Sequence, residues 1–148
     1  MGVLIDNRQS SYKLSQKRIR RKAQAILNAL GSPKAELSVV FVDDSEIGSL
    51  NQKYLNRPGP TNVISFPMQE GEFSDVSPLL LGDVVISTET AQREAAESGM
   101  AVETRIDQLL VHGILHIFGF DHESSEADAA GMANKAAELL TLVENLDE

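Results

Sequence analysis

Residues Leu110–His122 read LVHGILHIFGFDH. The stretch holds every histidine of the chain, at 112, 116 and 122, in the pattern H-x3-H-x5-H. On a helix, residues four apart lie on one face a turn apart, so His112 and His116 can aim two imidazoles at one point. Thr104 and Gln108 extend this polar stripe backward along an otherwise apolar helix. Gly119 takes a left-handed conformation at low cost and is placed to end the helix. A reversal there lets His122 swing back toward the first pair. A lone histidine on an apolar face is more often a satisfied core residue, and two at i, i+4 arise by chance. Three of three in one ligand geometry, with a glycine where the turn is needed, point instead to an open three-histidine zinc site. Nickel, copper or iron could also use imidazole ligands.

The same spacing matches the zinc part of the metzincin protease pattern, H-E-x-x-H-x-x-G-x-x-H. The departure is Gly113, which stands where a protease carries its glutamate general base. Glycine accepts no proton, so the zinc scaffold occurs here without its peptidase base, which argues against peptide hydrolysis.

Outward from the motif, the rest of the second half reads as helices over Thr88–Ser98, Ala101–Phe118 and roughly Ser125–Val143, with Met132 an ordinary core methionine or a residue packed under the metal. Strand-like runs occupy Leu37–Val42, Asn62–Phe66 and Leu81–Ser87, and Val3–Ile5 can add a fourth. Asp43 followed by Glu46 starts a short helix through about Tyr54, Asn56–Pro60 is a loop, and a polar loop covers about Gln69–Ser77. A further helix spans Ser15–Leu30 and buries Ile19, Ala23, Ile26, Leu27 and Leu30. Strands in the first half and helices in the second predict an α+β fold with helices packed on one sheet of about four strands.

The 148 residues fit a single domain over 1–148. There is no cysteine, which excludes disulfides, iron–sulfur clusters and thiol chemistry. Met1–Asn7 is too short and acidic for a signal peptide, and the longest apolar run is broken by His112, Gly113 and His116. A cytoplasmic protein without membrane contact is the expectation. The net charge of −9 disfavours a phosphate-rich partner, but it is unevenly spread. Residues 13–22 carry +6 with no acid, and the remainder carries −15 from seven cations and 22 acids. Within that segment Lys17, Arg18, Arg20 and Arg21 form either a solvated helix face or a phosphate contact surface.

The segment HGILHIFGFDH resembles the H-G-x-L-H-x-x-G-[YF]-D-H signature of the bacterial rRNA maturation factors called YbeY. LNQKYLNRPGPTNVISFP at Leu50–Pro67 and LGDVVIS at Leu81–Ser87 resemble other segments of that family, in the same order, and the likeness covers about Leu37–Val143. It implies a metal-dependent endoribonuclease acting on single-stranded RNA in 16S rRNA 3′-end maturation and ribosome quality control. Its implied partners are the small ribosomal subunit and assembly factors, with no DNA expected. The implied fold has a mixed sheet with the zinc site in a cleft near one sheet edge. The family's ligands fall on His112, His116 and His122. Family members often carry an arginine directly after the tyrosine of the middle motif; here Tyr54 is followed by Leu55, and Arg57 is either its replacement or an ordinary loop residue.

Zinc lowers the pKa of bound water from ~15.7 to ~7, which serves either direct phosphodiester hydrolysis or attack by the RNA 2′-OH. Arg57 is the candidate cation for phosphate charge, and Asp121 either orients a ligand imidazole or forms a turn. Glu123 is a lesser candidate for proton transfer. Thr61, Asn62 and Ser65 line the cleft or flank a strand. Two rivals stand beside this reading: a zinc peptidase, weakened by Gly113, and a non-catalytic assembly factor with structural zinc. With two tyrosines, five phenylalanines and no tryptophan, stacking on aromatic side chains gives little base-specific reading.

Overall fold

Runs of β-branched and aromatic residues form the sheet, and four of the five described helices start at a small polar side chain that caps them, α4 starting instead at Ala101. The computed structural model describes residues 2–68, 80–120 and 125–147. The strands are β1 (Val3–Asn7), β2 (Glu36–Val42), β3 (Val63–Pro67) and β4 (Leu80–Ser87). The helices are α1 (Gln16–Ala29), α2 (Asp44–Leu55), α3 (Thr88–Ser98), α4 (Val102–Ile117) and α5 (Glu126–Asn145). Each described element lies within two residues of its sequence-based expectation; the loop expected over Gln69–Ser77 lies outside the described residues. Ser15, Asp43, Ser87 and Ser125 cap α1, α2, α3 and α5, each side chain accepting an N–H three residues on.

The sheet is mixed, in the order β1-β2-β4-β3. β1, β2 and β4 run parallel, and β3 joins the edge of β4 antiparallel, with Ser65 opposite Val84. Alternation divides the strands between two faces. Leu37, Val39, Phe41, Val84 and Ile86 enter the main core with residues of α1, α3 and α4. Val42, Ile64 and Val85 face the other way and form a small cluster with Ile47 of α2. The helices are therefore not all on one side: among the described residues α2 is the helix that packs on the second face. α5 forms an outer layer against α4 and α1, contributing Met132, Leu139 and Val143 to the main core.

α1 packs on β1 and α4 on β3 and β4, so the two helices occupy opposite edges of the same face. Lys22 is the member of the basic segment that does not share the outward side on which most of its cations are expected. It lies three residues after Ile19 and four before Ile26, on the apolar side, and is 0% exposed. Its ammonium is held at 2.6 Å by both Asp107 of α4 and Asp147. Arg18 grips the same two carboxylates at 2.9 and 3.3 Å. Burial pushes the Asp107 carboxyl up, against the Lys22 hydrogen bond. The hydrogen bond from Lys22 holds Asp147 below the usual range. Among the described residues no helix is long and apolar enough to cross a membrane.

Candidate functional site

α4 ends as its sequence requires. Gly119 has φ +93°, its N–H donates to the His116 carbonyl at 3.0 Å, and the Phe120 N–H donates to the Leu115 carbonyl at 3.0 Å. This paired closure is a Schellman turn, which satisfies the last carbonyls of the helix and stops it just after His116. On the last two turns His112 and His116 stand half-buried, with their Nε2 atoms 3.0 Å apart and the ring planes at 72°. Two ligands of one tetrahedral zinc, each at about 2.0–2.1 Å, would stand roughly 3.3–3.4 Å apart. The pair stands a few tenths of an ångström closer than that, at hydrogen-bond distance, with both nitrogens facing the point a shared metal ion would occupy.

The helix reaches this position because Gly113 lets it press on the sheet. A Cβ built there would meet Val84 Cγ1 at 2.5 Å and Val63 Cγ2 at 3.2 Å. The Ser65 hydroxyl donates to the Gly113 carbonyl at 2.7 Å, tying β3 to the same turn. A glutamate at 113 has no space, which adds a steric reason to the chemical one against a peptidase site.

Beside the pair is a cavity of about 300 Å³ lined by Asn62, Arg105, Gln108, Leu109, His112, Ala136 and Leu140. Glu94 of α3 organises its polar wall: its carboxylate accepts from Asn62 Nδ2 at 3.2 and 3.3 Å and from Arg105 Nε at 3.0 Å. Arg105 also donates from Nη1 to Gln108 Oε1 at 2.6 Å.

The structure brings Asn62 and Ser65 to the histidine helix, although the Ser65 proton is committed to a backbone carbonyl. Arg57 is exposed in the loop from α2 to β3, its backbone N–H closing on the Asn51 carbonyl. Met132 is buried in the main core near the Phe118–Phe120 turn, as an ordinary core methionine would be. Lys17, Arg20 and Arg21 are exposed along a separate groove of about 510 Å³ beside β1. There Arg20 Nε donates to the Val3 carbonyl and Arg21 Nη2 to the Leu146 carbonyl. Arg18 is held by its two aspartates. These four cations are not next to the histidine pair. Asp121, His122 and Glu123 lie outside the described residues. Among the described residues no three His, Cys, Asp or Glu side chains cluster to hold a metal.

Sequence reasoning reached Gln108 through the helical stripe but missed Arg105 and Glu94. Arg105 sits three residues before Gln108, a helical neighbour in principle. Glu94 lies on another helix, so no spacing rule reveals their meeting.

Comparison with known proteins agrees with this architecture. Residues 4–144 match the family model described as Endoribonuclease YbeY. The chain is 51% identical over 146 residues to Endoribonuclease YbeY of Geobacter sulfurreducens, spanning 98% of this chain and 97% of that protein. The Geobacter metallireducens protein of the same name is 50% identical, with 97% of each covered. The solution structure of a protein from Thermotoga maritima superposes with a TM-score of 0.68 at 25% identity, covering 95% of this chain and 88% of the other.

Proposed function

The chain belongs to the YbeY endoribonuclease family, and from that premise we propose that it is a zinc-dependent, single-strand-specific nuclease whose cleft lies at His112 and His116. In this reading residues 1–148 form one cytoplasmic domain. It acts in 16S rRNA 3′-end maturation and ribosome quality control, with the small ribosomal subunit and its assembly factors as partners. The observation that carries the site is the approach of two imidazole nitrogens to 3.0 Å on a helix that stops at Gly119. His122, three residues past that glycine, supplies the third ligand, and Asp121 orients one of the imidazoles.

Zinc bound there would supply a water of pKa about 7 and neutralise phosphate charge. The protein's own part is to hold the reacting groups. His112 and His116 present Nε2 from rigid helix turns, fixed against the sheet by Gly113 and the Ser65 hydrogen bond. Asn62, anchored on Glu94, forms part of the cleft wall. Arg57 is the candidate to meet phosphate from the loop before β3, and Lys17, Arg20 and Arg21 contact RNA farther along the strand.

His112→Ala and His116→Ala should each lose bound zinc and single-stranded RNA cleavage together, measured by metal analysis and a labelled-RNA assay. Full zinc occupancy in both variants would overturn the ligand assignment. Loss of zinc with cleavage intact would overturn metal-dependent catalysis.

A further inference from the structure

The polar face of α4 continues past the histidines. Gln108 stands one turn before His112, and both line the same cavity with Arg105 and Asn62. Arg105 makes a fork with two different partners. Nε and Nη2 hold Glu94 Oε1 at 3.0 Å, and Nη1 donates to Gln108 Oε1 at 2.6 Å. Asn62 Nδ2 binds Glu94 from the other side.

A guanidinium has donors and no acceptor, so it dictates which end of an amide can face it. The Gln108 oxygen must turn to Arg105, and the amide nitrogen must turn away. Glu94 in turn offsets the charge of Arg105, so the pair contributes direction more than positive field. The result is a neutral N–H donor of fixed orientation beside His112. Phosphate oxygens of RNA are anionic acceptors, the groups such a donor suits best.

We infer that Gln108 contacts the substrate, its amide nitrogen donating to a non-bridging phosphate oxygen of RNA at the His112 cleft, and that Arg105 and Glu94 are positioning residues for that amide. The inference rests on the nuclease reading of the cleft.

The test compares Gln108→Ala, Gln108→Glu, Arg105→Met and the double variant Arg105→Met/Gln108→Ala with the unmodified zinc-loaded protein. KM and kcat are measured on single-stranded RNA. Affinity is measured by anisotropy with a labelled 2′-O-methyl single-stranded 12-mer, checked afterward for integrity. Zinc content is measured throughout. Gln108→Ala should raise KM and weaken 12-mer binding about tenfold at unchanged zinc content. Gln108→Glu should weaken binding further, because its carboxylate keeps Arg105 while turning an anion toward phosphate. Arg105→Met should match Gln108→Ala, and the double variant should be no worse than either. Undiminished binding by Gln108→Glu would overturn the inference, and it decides the matter alone if Arg105→Met does not fold. A double-variant defect equal to the product of the single ones would show Arg105 touching RNA itself and overturn the positioning role. His112→Ala is run in parallel: if it cleaves normally, the nuclease reading of this cleft fails, whereas a silent Gln108→Glu beside an inactive His112→Ala fails only the present inference.

Discussion

Gly113 shows how much one missing side chain decides. It is the position where the metzincin pattern calls for a base, and the structure uses its emptiness to bring α4 onto β3 and β4. Val84 is fully buried and β-branched, so it has little freedom to move from an added methyl 2.5 Å away. Gly113→Ala should therefore cost about 1–3 kcal/mol, the usual range for overpacking a filled core. Thermal or denaturant unfolding measures it, and adding Val84→Ala should restore part of the loss. If Gly113→Ala were as stable as the unmodified protein, the close approach would not be what sets the helix position. The same residue marks a boundary of legibility. The sequence revealed that 113 could not serve as a base; that it is also a packing contact needs the strands, which come from distant parts of the chain.

Among the elements, the segment between β1 and α1 is fixed to the start of α4 by one hydrogen bond. The Tyr12 hydroxyl donates to Glu103 Oε1 at 2.5 Å. Burial, then the Glu103 contact, pushes the Tyr12 hydroxyl up to about 12, and the hydrogen bond from Tyr12 holds Glu103 below its usual range. The signs follow by linkage. The stability that the tyrosine contributes is fully present below its unfolded pKa of about 10 and is lost as pH rises toward 12. That of the glutamate is present above the ordinary carboxylate range and is lost as pH falls through the lowered value. Stability of Tyr12→Phe relative to the unmodified protein, followed by urea unfolding across pH, should show its largest deficit between those limits and a shrinking one at both ends. A deficit independent of pH would assign the effect to packing. The elements themselves were readable because their signals are local: the β-branched run of β2, the Asp43 capping pattern, the glycine after His116. What escaped was relational. Lys22 looked like one more cation of a basic run, and only the meeting of α1 with α4 and residue 147 explains its burial. The antiparallel placement of β3 beside β4, and that of α2 on the second face, likewise depend on chain crossings that no window of sequence contains.

At the scale of the whole molecule, the acidic total and the basic helix are reconciled by distance. Three of the cations, Lys17, Arg20 and Arg21, stay exposed, while Arg18 and Lys22 are taken up by aspartates. Neutralising the first three should weaken RNA binding and lower the slope of log affinity against log salt, by up to about 0.7 per lost phosphate contact. Arg18 is best left in place, since its loss would disturb the Asp107–Asp147 cluster. An unchanged slope would mean that α1 is an ordinary solvated face. The groove lies at the β1 edge and the histidine cleft at the β3 edge, with β2 and β4 between them. Three inter-strand steps of about 4.8 Å separate those edges by roughly 14 Å, which a stacked strand covers in about four nucleotides at ~3.4 Å each. On the proposed function, with RNA running from the cleft to α1, the width of the sheet acts as a ruler. On that reading a stacked fragment of two or three nucleotides in the cleft stops short of α1, so the electrostatic contribution of that helix should switch on with substrate length.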